Sequence, residues 1–252
     1  RKAKLDVPSR CIAWSPNGRR ILVGFGGSCR GVRTKKDGAF ALLSAETLEV
    51  LYEGRDARHW LHDAKFTPDG STFALASHDQ KIYLYDSRQN IMRAKCDKHN
   101  AEVLALDFSQ DSAYLQSDSA DYEHLYYSVA DGSYFKLPSQ LKNVAWESWT
   151  CKMGWPVQGM WPSMTNRAED EGPPPEPVSV ARSTATDMIA AGYQDGRIKV
   201  FRYPCVSKSA EGLTLRGHVS NVSKVSFTCN DEYMISAGQA DRTIIVWKVR
   251  KT

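Results

Sequence analysis

Three sets of side chains in this sequence are of types that do chemistry. His218, Ser236 and Asp241 offer the imidazole, hydroxyl and carboxylate of a nucleophilic triad. The run Gly24-Phe25-Gly26-Gly27-Ser28-Cys29-Arg30-Gly31 has the glycine density of a loop that wraps a phosphate. His59 and His62 place two imidazoles three positions apart, a spacing used by metal sites.

Each set loses its catalytic reading when the neighbouring residues are considered. The dinucleotide pattern G-x-G-x-x-G fails because Cys29 stands at the third glycine. Gly26 and Gly31 have P-loop spacing, but Val32-Arg33 follow in place of Lys-Ser/Thr, and no helix pattern follows to offer its N-terminus. An extended hairpin with Asp37-Gly38 as a turn signal fits the segment better. No third ligand is spaced to join His59 and His62, so they read as the polar entry to a repeat. The six cysteines contain no C-x-x-C pair, which argues for reduced thiols rather than zinc or redox work. Neither G-x-S-x-G nor H-E-x-x-H occurs, and no two carboxylates ask to be an acid and base pair. No catalytic residue, metal, cofactor or small-molecule substrate is therefore expected.

The triad-like set has a different explanation, which lies in the elements that carry it. Phe66-Thr67-Pro68-Asp69-Gly70 aligns with Trp14-Ser15-Pro16-Asn17-Gly18 and with Phe108-Ser109-Gln110-Asp111-Ser112. In each, an aromatic residue closes a short alternating strand before turn chemistry begins. A second apolar run follows, then a turn carrying aspartate, then a third strand. Asp79, Asp121, Asp195 and Asp241 occupy those turns at separations of 42, 74 and 46 residues. A period of about 40–45 residues marks a WD repeat, one four-stranded propeller blade per period. Five units are expected, over 8–55, 59–96, 99–137, 141–205 (with a Trp/Pro-rich insertion at 146–177) and 212–249. The fold class is all-β, a WD40-type β-propeller forming part of a larger, tandem propeller with further blades upstream. In such a blade His218 donates to Asp241, and Ser236 and Trp247 extend the buried chain. Buried polar groups cost a few kcal/mol each unless paired, so the four residues belong together as structure.

Charge is distributed unevenly. Residues 1–36 carry ten Lys/Arg against one acid, whereas residues 97–131 carry eight acids against one lysine. Arg30, Arg33, Lys35 and Lys36 fall within seven positions and would suit an acidic partner through a salt-sensitive contact. Nucleic acid is not expected to be that partner, because no aromatics interleave with the basic cluster. No apolar stretch approaches the ~20 residues that span a bilayer, and the charged opening Arg1-Lys2-Ala3-Lys4 has no apolar run behind it. A cytoplasmic protein without a membrane partner is expected.

Residues 146–162 hold four of the seven tryptophans, and an acidic, proline-rich stretch follows at 168–177. The Gly24–Gly31 run, Tyr114-Leu115-Gln116-Ser117, Ala120-Asp121-Tyr122-Glu123, Thr150-Cys151, Gly154-Trp155-Pro156-Val157-Gln158-Gly159-Met160-Trp161-Pro162 and Phe201-Arg202-Tyr203-Pro204-Cys205 together resemble the echinoderm microtubule-associated protein-like family. Its long multi-module members look closest. The resemblance implies an atypical tandem propeller that engages tubulin or the microtubule wall, in cytoskeletal arrays such as spindles or the ciliary axoneme. The family's coiled coil and the hydrophobic motif that opens its tandem propeller are not found in these residues. Tyr126-Tyr127 stands where the family usually shows Tyr-Trp. Trp155 and Trp161 are candidate partner contacts beside Arg30, Arg33, Lys35 and Lys36, although aromatics of this kind also serve to cover seams between blades. An alternative function is a ubiquitin-ligase substrate receptor, since Tyr85-Asp86-Ser87-Arg88 resembles the ending with which such receptors grip their adaptor.

Overall fold

A computed structural model describes residues 2–5, 7–27, 35–162, 173–208 and 210–250. It divides into two compact units, Arg1–Glu147 and Ser148–Thr252.

The first unit holds three antiparallel sheets, each a meander with its strands in chain order. The first is β1 (Ser9–Trp14), β2 (Arg20–Phe25), β3 (Ala39–Ser44) and β4 (Val50–Arg55). The second is β5 (Leu61–Phe66), β6 (Thr72–Ser77), β7 (Ile82–Asp86) and β8 (Met92–Cys96). The third is β9 (Val103–Phe108), β10 (Tyr114–Ser119) and β11 (His124–Ser128), with a single bridge from Tyr127 to Tyr134 in place of a fourth strand. The second unit holds β12 (Pro177–Arg182), β13 (Met188–Tyr193), β14 (Arg197–Arg202) and β15 (Leu213–Arg216), then β16 (Val222–Phe227), β17 (Tyr233–Gly238) and β18 (Ile244–Lys248). These are five propeller blades. No helix among the described residues is long and apolar enough to cross a membrane.

The blade sequence follows from burial on both faces. In the second blade Phe73 and Leu75 join Tyr83 and Tyr85 in a cluster with Leu22, Phe40 and Leu42 of the first blade. The alternate residues Ala74, Ala76, Ile82 and Leu84 pack instead against Val103, Leu106 and Phe108 of the third. A strand sandwiched in this way needs apolar residues at successive positions, which is why β6 and β7 read as continuous runs. In the last blade the counterparts of Leu84 and Ile82, Val246 and Ile244, are 60% and 72% exposed.

One hairpin device recurs between the first two strands of four blades. Ser15, Thr67, Ser109 and Thr228 donate their hydroxyls to Asn17, Asp69, Asp111 and Asn230, two residues on, at 2.5–2.9 Å. The same hydroxyl oxygens accept the amides of Arg20, Thr72, Tyr114 and Tyr233, five residues on. This closes the turn only if the fourth residue takes positive φ, and Gly18, Gly70, Ser112 and Asp231 do, at +68°, +70°, +62° and +52°.

The fourth unit differs from the expected 141–205 layout. Its sheet starts at Pro177 and runs to Arg216, while residues 138–162 form two 3-10 turns, Pro138–Leu141 and Trp155–Met160, with connecting loops. Prolines 138, 156 and 162 and glycines 154 and 159 deny this stretch a strand ladder. Leu213–Arg216 is thus the outer strand of the fourth blade rather than the opening of the fifth.

Candidate functional site

The four turn aspartates occupy equivalent positions, immediately before the third strand of blades two to five, but their partners differ. In the last blade His218 Nδ1 lies 3.0 Å from Asp241 Oδ2, and His218 Nε2 lies 2.7 Å from Ser236 Oγ. Trp247 Nε1 donates to Ser236 Oγ at 2.8 Å. With the indole N–H an obligate donor, the proton order runs Trp247 to Ser236 to His218 to Asp241. The Thr243 amide, then His218 and the Val219 amide, pull the Asp241 carboxyl down to about 2. Ser236 is fully buried, with its oxygen engaged by both His218 and Trp247. The set is a strut between the blade's entry loop, its middle strand and its third strand.

A second strut stands in the third blade, and the spacing argument missed it. His99 Nε2 is 2.7 Å from Ser117 Oγ, and His99 Nδ1 is 3.3 Å from Glu123 Oε2. The Asn100 amide also reaches Glu123, as the Val219 amide reaches Asp241. Asp121 instead accepts the Ser119 hydroxyl within its own turn, at 2.5 Å. Glutamate two residues later, with its longer arm, takes the place of the turn aspartate. The signal that could have found this strut is the His-to-Ser interval of 18 residues, shared by His218–Ser236 and His99–Ser117. Burial of His99 pushes its pKa down, against the opposing pull of Glu123.

The other two of these four blades lack the chain. In the second, Ala57, Leu75 and Tyr85 fill the equivalent positions and join the apolar core. Asp79 there accepts the Arg58 amide at 2.7 Å and the Tyr83 hydroxyl at 2.9 Å. In the fourth, Asp195 pairs with the Arg197 guanidinium beside it.

Arg30 and Arg33 lie outside the described residues. The residues flanking them are firmly held. Asp37, almost fully buried, accepts the Gly27 amide at 2.8 Å, and Arg10 Nε donates to Gly26 O at 2.8 Å. Gly26 (φ +134°) lies so close to Trp60 that a Cβ there would fall 2.3 Å from the Trp60 Cβ. Lys35 is exposed, and Lys36 sits 3.6 Å from Glu53 with both side chains about half exposed. An ion pair so exposed holds Lys36 by no more than about 1 kcal/mol.

The tryptophan segment splits by burial. Trp146 and Trp149 are buried, the former beside the Tyr126 ring in the first unit and the latter beside Tyr203 in the second. Trp161 is half-buried and donates to the Lys152 carbonyl at 2.9 Å. Trp155 is 61% exposed. It opens a 3-10 turn clamped by reciprocal bonds, Gly159 N to Cys205 O (2.8 Å) and Cys205 N to Pro156 O (2.7 Å). Gly159 has no room for a side chain, because a Cβ would stand 2.3 Å from the Ser207 carbonyl. Trp155 is therefore an exposed indole on a rigid mount.

Arg88 is exposed, and its amide and that of Gln89 close a turn onto Asp86 at 2.8 Å. Cys11, Cys96, Cys151 and Cys205 are buried and outside any disulfide, and Cys229 is exposed.

Five meandering blades, hydroxyl-closed hairpins and His–Ser struts define a WD-type β-propeller. The fold is shared with the β-propeller domain of Cps50 (Swd1) from Myceliophteria thermophila, with a TM-score of 0.60 and 13% identity over 99% of this chain and 68% of that one. Residues 1–249 match the model of the echinoderm microtubule-associated protein second β-propeller, and the chain belongs to that family. It is 30% identical to echinoderm microtubule-associated protein-like 4 of Homo sapiens over 97% of this chain. It is 32% identical to the 77 kDa echinoderm microtubule-associated protein of Strongylocentrotus purpuratus over 84% of this chain. The chain spans 24% and 30% of the lengths of these two relatives.

Proposed function

We propose that this propeller is a non-catalytic, microtubule-associated scaffold of the cytoplasm and its cytoskeleton, including the ciliary axoneme. Its family membership supports the association, because its relatives carry microtubule association in their names. The charged contact to tubulin is assigned to the basic segment Arg30, Arg33, Lys35 and Lys36, and Trp155, in the second unit, is assigned by itself as an apolar contact. The observation that carries this assignment is the pinning of Gly26, Gly27 and Asp37 on either side of the segment. The backbone is fixed at Gly26, Gly27 and Asp37 on either side of the segment, which lowers the ordering cost of a charged contact there. Trp155 adds the kind of residue that dominates interface energies, already held in place by its clamp.

Co-sedimentation of the chain with polymerised tubulin tests the proposal. Binding that weakens when Arg30, Arg33, Lys35 and Lys36 are all changed to Glu supports it. Equal pelleting of both proteins at low salt contradicts the assignment.

A further inference from the structure

His62 and His78 belong to no strut, yet they form the densest group of imidazoles in the first unit. His62 sits at the irregularity in β5 where the register shifts between Leu61 and Asp63. Such a bulge re-aims a side chain relative to the regular alternation. His78 follows the end of β6, its amide bonded to the Trp60 carbonyl at 3.0 Å. His62 Nε2 and His78 Nδ1 then face each other at 3.3 Å with hydrogen-bond geometry. The Trp60 ring lies against His78 with centroids 4.3 Å apart, and its Nε1–H points to the same His62 Nε2 at 3.3 Å. His59 completes the group, its ring 5.4 Å from His78 and its Nδ1 buried without a hydrogen-bond partner.

The spacing matches a chelate. Two nitrogens each about 2.0–2.1 Å from a tetrahedral zinc ion lie roughly 3.3–3.4 Å apart. We infer that His62 Nε2 and His78 Nδ1 form a two-imidazole site for a divalent transition cation of the zinc or copper class, with water completing its shell. One ligand atom comes from β5 and the other from the residue that follows β6, its paired neighbour, so the backbone pre-sets their separation. The His62 Nε2 lone pair accepts the Trp60 N–H, so a cation binding there must displace that donor. Coordination requires the His78 proton to move from Nδ1 to Nε2; no net proton is released. Glu102 and Asp63 favour a cation here, whereas Arg10 opposes one. Borderline metals suit imidazole ligands, and copper(II) binds such a pair more tightly than zinc.

Copper(II) electron paramagnetic resonance on the purified chain, together with zinc titration calorimetry, tests the site. The expected copper spectrum shows coupling to two imidazole nitrogens, reduced to one in His62→Gln and in His78→Gln. Zinc affinity should fall by at least about tenfold in each variant, the loss that even outer partners of a metal ligand produce. Trp60→Phe keeps the ring stacked on His78 but removes the competing N–H donor, so it should bind zinc more tightly than wild type. Spectra and affinities that do not differ between wild type and the two glutamine variants would overturn the inference. So would zinc binding unchanged, or weakened, by Trp60→Phe.

Discussion

His99 stands to Ser117 as His218 stands to Ser236: 18 residues upstream, with the imidazole Nε2 2.7 Å from a fully buried hydroxyl. Two blades of one chain thus use the same polar strut, each closed by a different acid.

Ser236→Ala leaves the Trp247 N–H and the His218 nitrogen without their shared partner. Unpaired buried polar groups cost about 1–3 kcal/mol each, so the variant should lose roughly that amount in urea denaturation. Leu75→Ser, which places a hydroxyl in the second blade where Ala57 offers no imidazole, should be destabilising as well. A Ser236→Ala protein as stable as wild type would show that the strut contributes nothing to the fold.

Acid should weaken the fold in stages. His99 has a lowered pKa in the folded state, so its contribution is whole above the unfolded value of about 6.5 and is lost as pH falls below it. Asp241 also has a lowered pKa, and its contribution disappears only as pH falls from the ordinary carboxylate range toward about 2. Denaturation midpoints measured from pH 7.5 to 3 should decline first across the histidine range. His99→Gln should be shallower there, with His62 and His78, whose pKa values are also lowered, supplying the remaining slope.

Gly18→Ala isolates the price of a left-handed turn. Gly18 has φ +68° and nothing within 4 Å of an added Cβ, so only backbone strain is introduced. A loss of about 1–2 kcal/mol is expected, with Gly18→Asn closer to wild type. Equal stability of the alanine variant would mean that the hairpin relaxes into another turn.

Trp155→Ala should separate binding from folding. The side chain is mostly in solvent, so its removal should alter stability by no more than about 0.5 kcal/mol. Microtubule affinity should drop by about 2 kcal/mol, roughly thirtyfold, if the indole anchors the contact. A stability loss without a binding loss would return Trp155 to a purely architectural role.

Much of the fold is legible in the sequence because blade turns are chemically specific. Thr67-Pro68-Asp69-Gly70 and its kin announce hairpins, and Asp79, Asp121, Asp195 and Asp241 mark the entry to each third strand. The same regularity misleads where one residue is exchanged for another of similar chemistry. Asp121 sits where the repeat demands, yet Glu123 holds His99. Ala57, Leu75 and Tyr85 replace a polar strut with apolar packing, a swap visible only once strands are in register. His78 is 16 residues from His62, and no linear pattern joins them; strand pairing does. The Trp/Pro-rich insertion at 146–177 is legible, but the outer strand of the fourth blade, Leu213–Arg216, lies beyond the expected limit of 205 because the insertion moves the whole sheet along the chain.

Co-sedimentation with microtubules across a salt series measures the central claim most directly. The account predicts that wild-type binding falls steeply as salt rises, because exposed charges are screened within about 8–10 Å at physiological ionic strength. It predicts weak, nearly salt-independent binding when Arg30, Arg33, Lys35 and Lys36 are all glutamate. Wild-type and charge-reversed proteins with superimposable curves would contradict it.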